Sequence, residues 1–153
     1  MTTARQKGAA LQDELRDSFK FVAPAAFRKI PDEPSPFSVA RPFDCFGAYR
    51  GATLCIEAKH YGEFPIPLSI LKKHQAAALV EFDEALGDTP HFCGVALRVG
   101  DTRALIPIAE WVRRRRGSYT EALLDPFLVT QVPFGKKLRW GWPDKALSLS
   151  VKG

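Results

Sequence analysis

Apolar residues recur along this chain with two periods, and the switches between them outline its elements. Within residues 6–22, Leu11, Leu15, Phe19 and Val22 fall three or four positions apart, on one stripe of a helix. Pro24 stops that helix. Pro24, Pro31, Pro34, Pro36 and Pro42 then crowd residues 24–42, too densely for a regular element. A long surface loop is expected there, of the kind that often carries function. Residues 43–49 and 53–60 read as two strands turning at Arg50-Gly51. Helical spacing returns over 68–86, through Leu68, Leu71, Ala78, Leu79, Phe82 and Leu86, and ends before Gly87. Residues 91–99 and 103–108 read as a second strand pair turning at Gly100-Asp101, and 109–116 as a short helix before Gly117. Beyond Pro126 the chain mixes aromatics, glycine and proline, with a strand expected at 127–132. The order helix, strand, strand, helix, strand, strand, helix predicts a mixed sheet with helices packed on it, α/β or α+β.

At 153 residues, with 46% hydrophobic and 25% charged, the chain is expected to form a single domain spanning 1–153, and wholesale disorder is excluded. No apolar run reaches the roughly 18 residues of a membrane span. The first 15 residues lack the apolar stretch of a signal peptide, so a cytoplasmic location is expected. Cys45, Cys55 and Cys93 are odd in number and show no CxxC spacing; they read as buried strand residues rather than a disulfide framework or a zinc site.

Charge adds a direction. The net charge is +5, yet residues 1–108 balance 13 basic against 13 acidic groups, so the excess lies in 109–153, with 9 basic and 4 acidic. Arg113, Arg114, Arg115 and Arg116 form the densest run, and on a helix they spread around the axis, which suits phosphate contacts. Lys136, Lys137, Arg139 and Lys145 interleave with Phe134, Trp140 and Trp142. Basic groups among aromatic rings suit nucleic acid, with a small satellite core as the other reading of the tryptophans.

The chemistry concentrates in residues 42–59. Strand residues two apart share a face, so Glu57 and Lys59 point one way while Leu54, Ile56 and Ala58 point into the opposite, apolar layer. With Arg50-Gly51 as the turn, Tyr49 opposes Ala52, and stepping back along both strands brings Asp44 opposite Glu57. Cross-strand Cβ atoms sit about 4.5–5.5 Å apart. Two carboxylates at that distance repel, and a divalent cation is the natural compensation; magnesium takes one or two carboxylates plus water and phosphate oxygens. The other reading has Asp44 capping a turn and Glu57 paired with Lys59 as a surface ion pair.

Asp44 followed by Glu57-Ala58-Lys59 resembles the PD-(D/E)xK nuclease core. Taken with Lys7-Gly8 opening a helix that holds Glu14-Leu15, with Gly47-Ala48-Tyr49-Arg50-Gly51, and with His74-Gln75 on the next helix, the pattern over roughly residues 7–110 resembles RecU-type and archaeal-type Holliday junction resolvases. That resemblance implies an α/β, restriction-endonuclease-like mixed sheet flanked by helices. It implies magnesium, with manganese as a substitute, held at Asp44, Glu57 and Ala58, with Lys59 assisting cleavage. It also implies branched DNA as partner and a homodimer. Family members carry a further glutamate on the first helix. The matching position here is Gln12, and Glu14 is the acid nearby; the two flank opposite sides of the apolar stripe, so only one faces the site. Lys72, Lys73, His74 and Gln75 are expected near DNA. His60 is a poor magnesium ligand, and His91 reads as structural without a partner.

Overall fold

The computed structural model describes residues 2–22, 24–31, 41–114 and 117–151. Helix α1 spans Ala4–Lys20 and opens on a capping box, in which Thr3 Oγ1 accepts from the Gln6 amide and Gln6 Oε1 accepts from the Thr3 amide. Leu11, Leu15 and Phe19 are its buried apolar positions. Strands β1 (Ala25–Lys29), β2 (Cys45–Tyr49) and β3 (Ala52–Tyr61) follow, then a two-residue strand β4 (Ile66–Pro67) and a 3₁₀ turn at Leu68–Ile70. Helix α2 (Lys73–Leu86), strands β5 (His91–Val99) and β6 (Thr102–Pro107) and helix α3 (Ile108–Arg114) complete the part with clear sequence signals. Strand β7 (Ser118–Tyr119), a 3₁₀ turn at Ala122–Phe127, strands β8 (Gln131–Phe134) and β9 (Lys137–Trp140) and helix α4 (Trp142–Leu149) make up the rest.

The fold is α/β. Five strands form one mixed sheet in the order β1-β2-β3-β5-β6, antiparallel except for the parallel pair β3 and β5 that α2 connects. Short ribbons β4-β7 and β8-β9 lie apart from it. One face of the sheet packs Leu54, Ile56, Phe92 and Leu105 against α1 and α4, with Trp142 wholly buried. The other packs Cys55, Cys93, Val95 and Ile106 against Leu79 of α2 and Trp111 of α3. No helix among the described residues is long and apolar enough to cross a membrane.

The β2–β3 hairpin has the expected register, with Tyr49 opposite Ala52 and Cys45 opposite Ile56. Its turn is tight because Arg50 and Gly51 both take positive φ, 47° and 81°. Gly47 has no alternative: a Cβ there would lie 2.4 Å from the Ala26 carbonyl oxygen, under the Phe27 ring that stacks on Phe19. Replacing Gly47 by Val is expected to prevent folding, read as loss of the cooperative thermal transition.

Three sequence expectations are corrected. The proline-rich segment is not loop throughout: residues 25–29 form edge strand β1, flanked by Pro24 and Pro31, and edges tolerate proline. Residues 32–40 of that segment lie outside those described. The second helix starts at Lys73, not at 68, because Leu71 and Lys72 are extended. The strand expected at 127–132 is a 3₁₀ turn through Phe127, a single bridge from Leu128 to Ala104, and then the β8–β9 ribbon.

Candidate active site

Ladder pairing between β2 and β3 ends at Cys45 and Ile56, and the site lies just beyond, where the two strands part. Asp44 remains opposite Glu57, but its carboxylate rather than its backbone reaches β3: Oδ2 accepts from the Ala58 amide at 2.8 Å. The Asp44 carbonyl accepts from the Ile30 amide at 2.7 Å, tying the site to the end of β1. Asp44 and Glu57 are both buried, 3% and 4% exposed. That burial decides against a surface ion pair.

Three side chains hold the two carboxylates. Arg41 Nη2 pairs with Asp44 Oδ1 at 2.8 Å, and its Nη1 donates to the Ile30 carbonyl. Gln75 donates from Nε2 to Glu57 Oε1 at 3.0 Å while its Oε1 accepts from the Lys72 amide at the start of α2. Lys59 Nζ lies 3.6 Å from Glu57 Oε1. Burial first, and the Asp44 charge second, push the Glu57 pKa up to about 8.

The sign of the pH dependence follows. The folded metal-free protein binds the Glu57 proton more tightly than the unfolded chain, whose carboxyl titrates near 4.5. This group's contribution to stability therefore falls as pH rises from about 4.5 to about 8, with a slope of at most ~1.4 kcal/mol per pH unit. Urea unfolding of wild type and Glu57→Gln in chelator is the measurement. The difference between them is expected to shift steadily toward the variant across that window.

The carboxylates open into a cleft of about 530 Å³ that Arg5, Gln12, Lys29, Arg41, Lys59 and Gln75 also line. Of Gln12 and Glu14, Gln12 is the one that faces it, on the side of α1 that also carries Arg5 and Gly8. Positions two apart on a helix differ by about 200°, and Glu14 faces the other way. Its carboxylate takes Arg103 Nε at 2.9 Å and Nη2 at 2.7 Å, and Trp142 Nε1 at 2.8 Å. Arg103 is itself buried and stacks on Trp140 at 3.8 Å from the ring centre. The structure thus removes Glu14 from the cleft and assigns it to the joint between α1, β6 and α4.

The remaining expected residues scatter. Lys72, Lys73 and His74 are exposed where α2 begins, beside the cleft. Arg113 is exposed and ion-paired with Glu110, whereas Arg114 lies over the Tyr119 ring; Arg115 and Arg116 lie outside the described residues. Lys136 and Lys137 are exposed around the β8–β9 turn, and Arg139 packs against the touching Phe21 and Phe134 rings and donates to the Ser18 carbonyl. Trp142 lies in the main core between the sheet and α1, with Trp140 packed at its margin, rather than in a small satellite core. His60 faces the α1 side, where burial and the cations Arg98, Lys7 and Arg103 hold its pKa below the usual value. His91 has two partners, Asp83 and the Thr89 carbonyl. Sequence reasoning missed Arg5, Lys29 and Arg41; only Arg41, three residues before Asp44, carried a local signal.

A mixed sheet with two buried carboxylates and a lysine where adjacent strands part is an arrangement suited to holding a hard cation beside a bound anion. No protein-family model matches the chain, and no curated protein matches its sequence. Among solved structures it is similar to Hjc, a Holliday junction resolvase from the archaeal hyperthermophile Archaeoglobus fulgidus. The TM-score is 0.57 and the identity 21%, over 79% of this chain and 94% of that one. At that identity the likeness is one of fold.

Proposed function

We propose that this chain is a magnesium-dependent DNA endonuclease of the PD-(D/E)xK type that resolves four-way junctions by phosphodiester hydrolysis. The observation that carries the reading is the buried Asp44–Glu57 pair, facing across a parting hairpin with Lys59 beside it, in a cleft lined by basic groups. The donor set fits the ion: two buried, facing carboxylates are hard oxygen ligands. The Ala58 carbonyl leaves β3 on the same edge as its amide, the edge that β2 no longer pairs. Asp44, Glu57 and Ala58 would hold Mg²⁺, or Mn²⁺ in its place. Bound there, the ion supplies charge stabilisation at the scissile phosphate and a lowered pKa for an attacking water. Lys59 compensates charge that develops on the phosphate. Gln75 fixes the Glu57 carboxylate through a two-sided hydrogen bond.

Cation binding must displace the Glu57 proton, so affinity is expected to rise with pH, up to about tenfold per unit, and to level off above about 8. Calorimetric titration with Mn²⁺ in buffers of different ionisation enthalpy reads both the affinity and the released proton.

Branched DNA is the proposed partner. Lys72, Lys73, His74 and Gln75 flank the cleft, while Arg113, Arg114, Lys136, Lys137 and Arg139 extend the basic surface. Replacing Lys136 and Lys137 by Ala is expected to weaken junction binding and to flatten its salt dependence by about 0.9 in log–log slope for each phosphate no longer neutralised. Filter binding across a salt series is the check, and an unchanged slope removes the ribbon from the interface. Resolution needs two symmetric cuts, so the active species is proposed to be a C₂ homodimer. Sedimentation of the chain, free and junction-bound, tests that assembly. A second reading, a DNA-binding module without catalysis, is favoured by the first helix, which presents Gln12 to the cleft instead of an acid.

A further inference from the structure

Three chemically different metal ligands converge under the far end of α2. His91 and Cys93 are two apart on β5 and so share the face turned toward that helix, where Asp83 sits one turn from its C-terminus. One ligand atom from each lies within 4.8 Å of the others. His91 and Cys93 are 1% and 2% exposed, while Asp83 is partly open to solvent.

The imidazole is held at both nitrogens. Nδ1 lies 2.6 Å from the Thr89 carbonyl oxygen, which can only accept, so Nδ1 carries a proton. Nε2 lies 2.8 Å from Asp83 Oδ1. With Nδ1 donating, Nε2 turns its lone pair toward the Asp83 carboxylate, the orientation a ligating imidazole needs. A ring nitrogen tied to a backbone carbonyl while the other is offered inward is the usual support of a metal-bound histidine. Cys55 stands directly across from Cys93 in the β3–β5 ladder, on the same face of the sheet. A second sulfur therefore adjoins the first.

We propose that Asp83, His91 and Cys93 form a binding site for a zinc-class divalent cation. One imidazole nitrogen, one thiolate and one carboxylate suit zinc or cobalt and repel magnesium or calcium, which want oxygen alone. The thiolate is the ligating form of Cys93, so binding releases its proton. The ion would clamp α2 to β5 at one end of the helix whose other end carries Gln75. Cysteine spacing alone concealed the site, because its ligands come from a strand and a helix and only one of them is a cysteine. The proposal stands independently of the nuclease reading.

Cobalt titration of the reduced, metal-free full chain tests it. The expected result is a thiolate-to-cobalt charge-transfer band and strong tetrahedral d–d absorption, saturating at one equivalent and reversed by Zn²⁺. Cys93→Ser should lose the charge-transfer band. Asp83→Asn, at a partly open position, should fold and weaken cobalt by at least the roughly tenfold typical of lost outer-shell partners. Glu57→Gln should leave the band in place, which separates this site from the carboxylate pair. Absence of the band in the wild-type chain, or its survival in Cys93→Ser, would overturn the proposal and leave a proton as the bridge between His91 and Asp83.

Discussion

Glu57→Gln is expected to slow four-way-junction cleavage by at least roughly 100-fold while leaving junction affinity and its salt dependence nearly unchanged. Even outer-shell partners of a metal cost about 10–100-fold when removed, and Glu57 is proposed as a direct ligand. Affinity comes from the basic groups that neutralise phosphates, and the only one the substitution touches is Lys59, which keeps its charge. Asp44→Asn should match it in rate and differ in stability. It removes one of two facing buried carboxylates, together with the main charge that raises the Glu57 pKa, at the cost of the Arg41 ion pair. Single-turnover cleavage and thermal unfolding in chelator, run on both variants, read the two effects separately. Near-normal cleavage by Glu57→Gln in magnesium would remove the pair from the chemistry.

Glu14→Ala should behave in the opposite way, losing stability and keeping chemistry. The substitution strands the buried Arg103 guanidinium and the Trp142 indole N–H. Breaking a buried pair from one side costs about 3–5 kcal/mol. Arg103 keeps its contact with Trp140 and its bond to the Asp101 carbonyl, so ~3 kcal/mol is expected. For a chain of this size that lowers Tm by roughly 6–12 °C. Below the transition the folded protein should cleave at the wild-type rate per active site. A variant of unchanged Tm with rate lost by orders of magnitude would return Glu14 to the catalytic centre.

Where one short-range device settles a position, the sequence was legible. Arg50-Gly51 fixes the parity of the hairpin, and parity alone places Asp44 opposite Glu57 and turns Lys59 to the same face. The apolar stripe of α1 was equally plain. Failures came where the deciding contact is distant or the pattern weak. On a helical wheel Gln12 and Glu14 are equivalent choices; what separates them is Arg103, 89 residues away. Strand β1 buries only Phe27, so its alternation is faint between flanking prolines. The β8–β9 ribbon is largely exposed and carries Pro133, which leaves no apolar period to read. Arg41 follows the densest run of prolines, where side-chain direction cannot be inferred from spacing, yet it is the cation on Asp44. His91 lacked a visible partner because Asp83 reaches it only after α2 folds back over the sheet.

A synthetic four-arm DNA junction, incubated with the purified chain and Mg²⁺ beside a linear duplex of the same sequence and a chelator control, tests the central claim most directly. The expected result is a pair of nicks related by the two-fold symmetry of the junction, no comparable cutting of the duplex, and none without the metal. Tight junction binding with no cleavage in either Mg²⁺ or Mn²⁺ would contradict the nuclease and identify a DNA-binding module built on its fold.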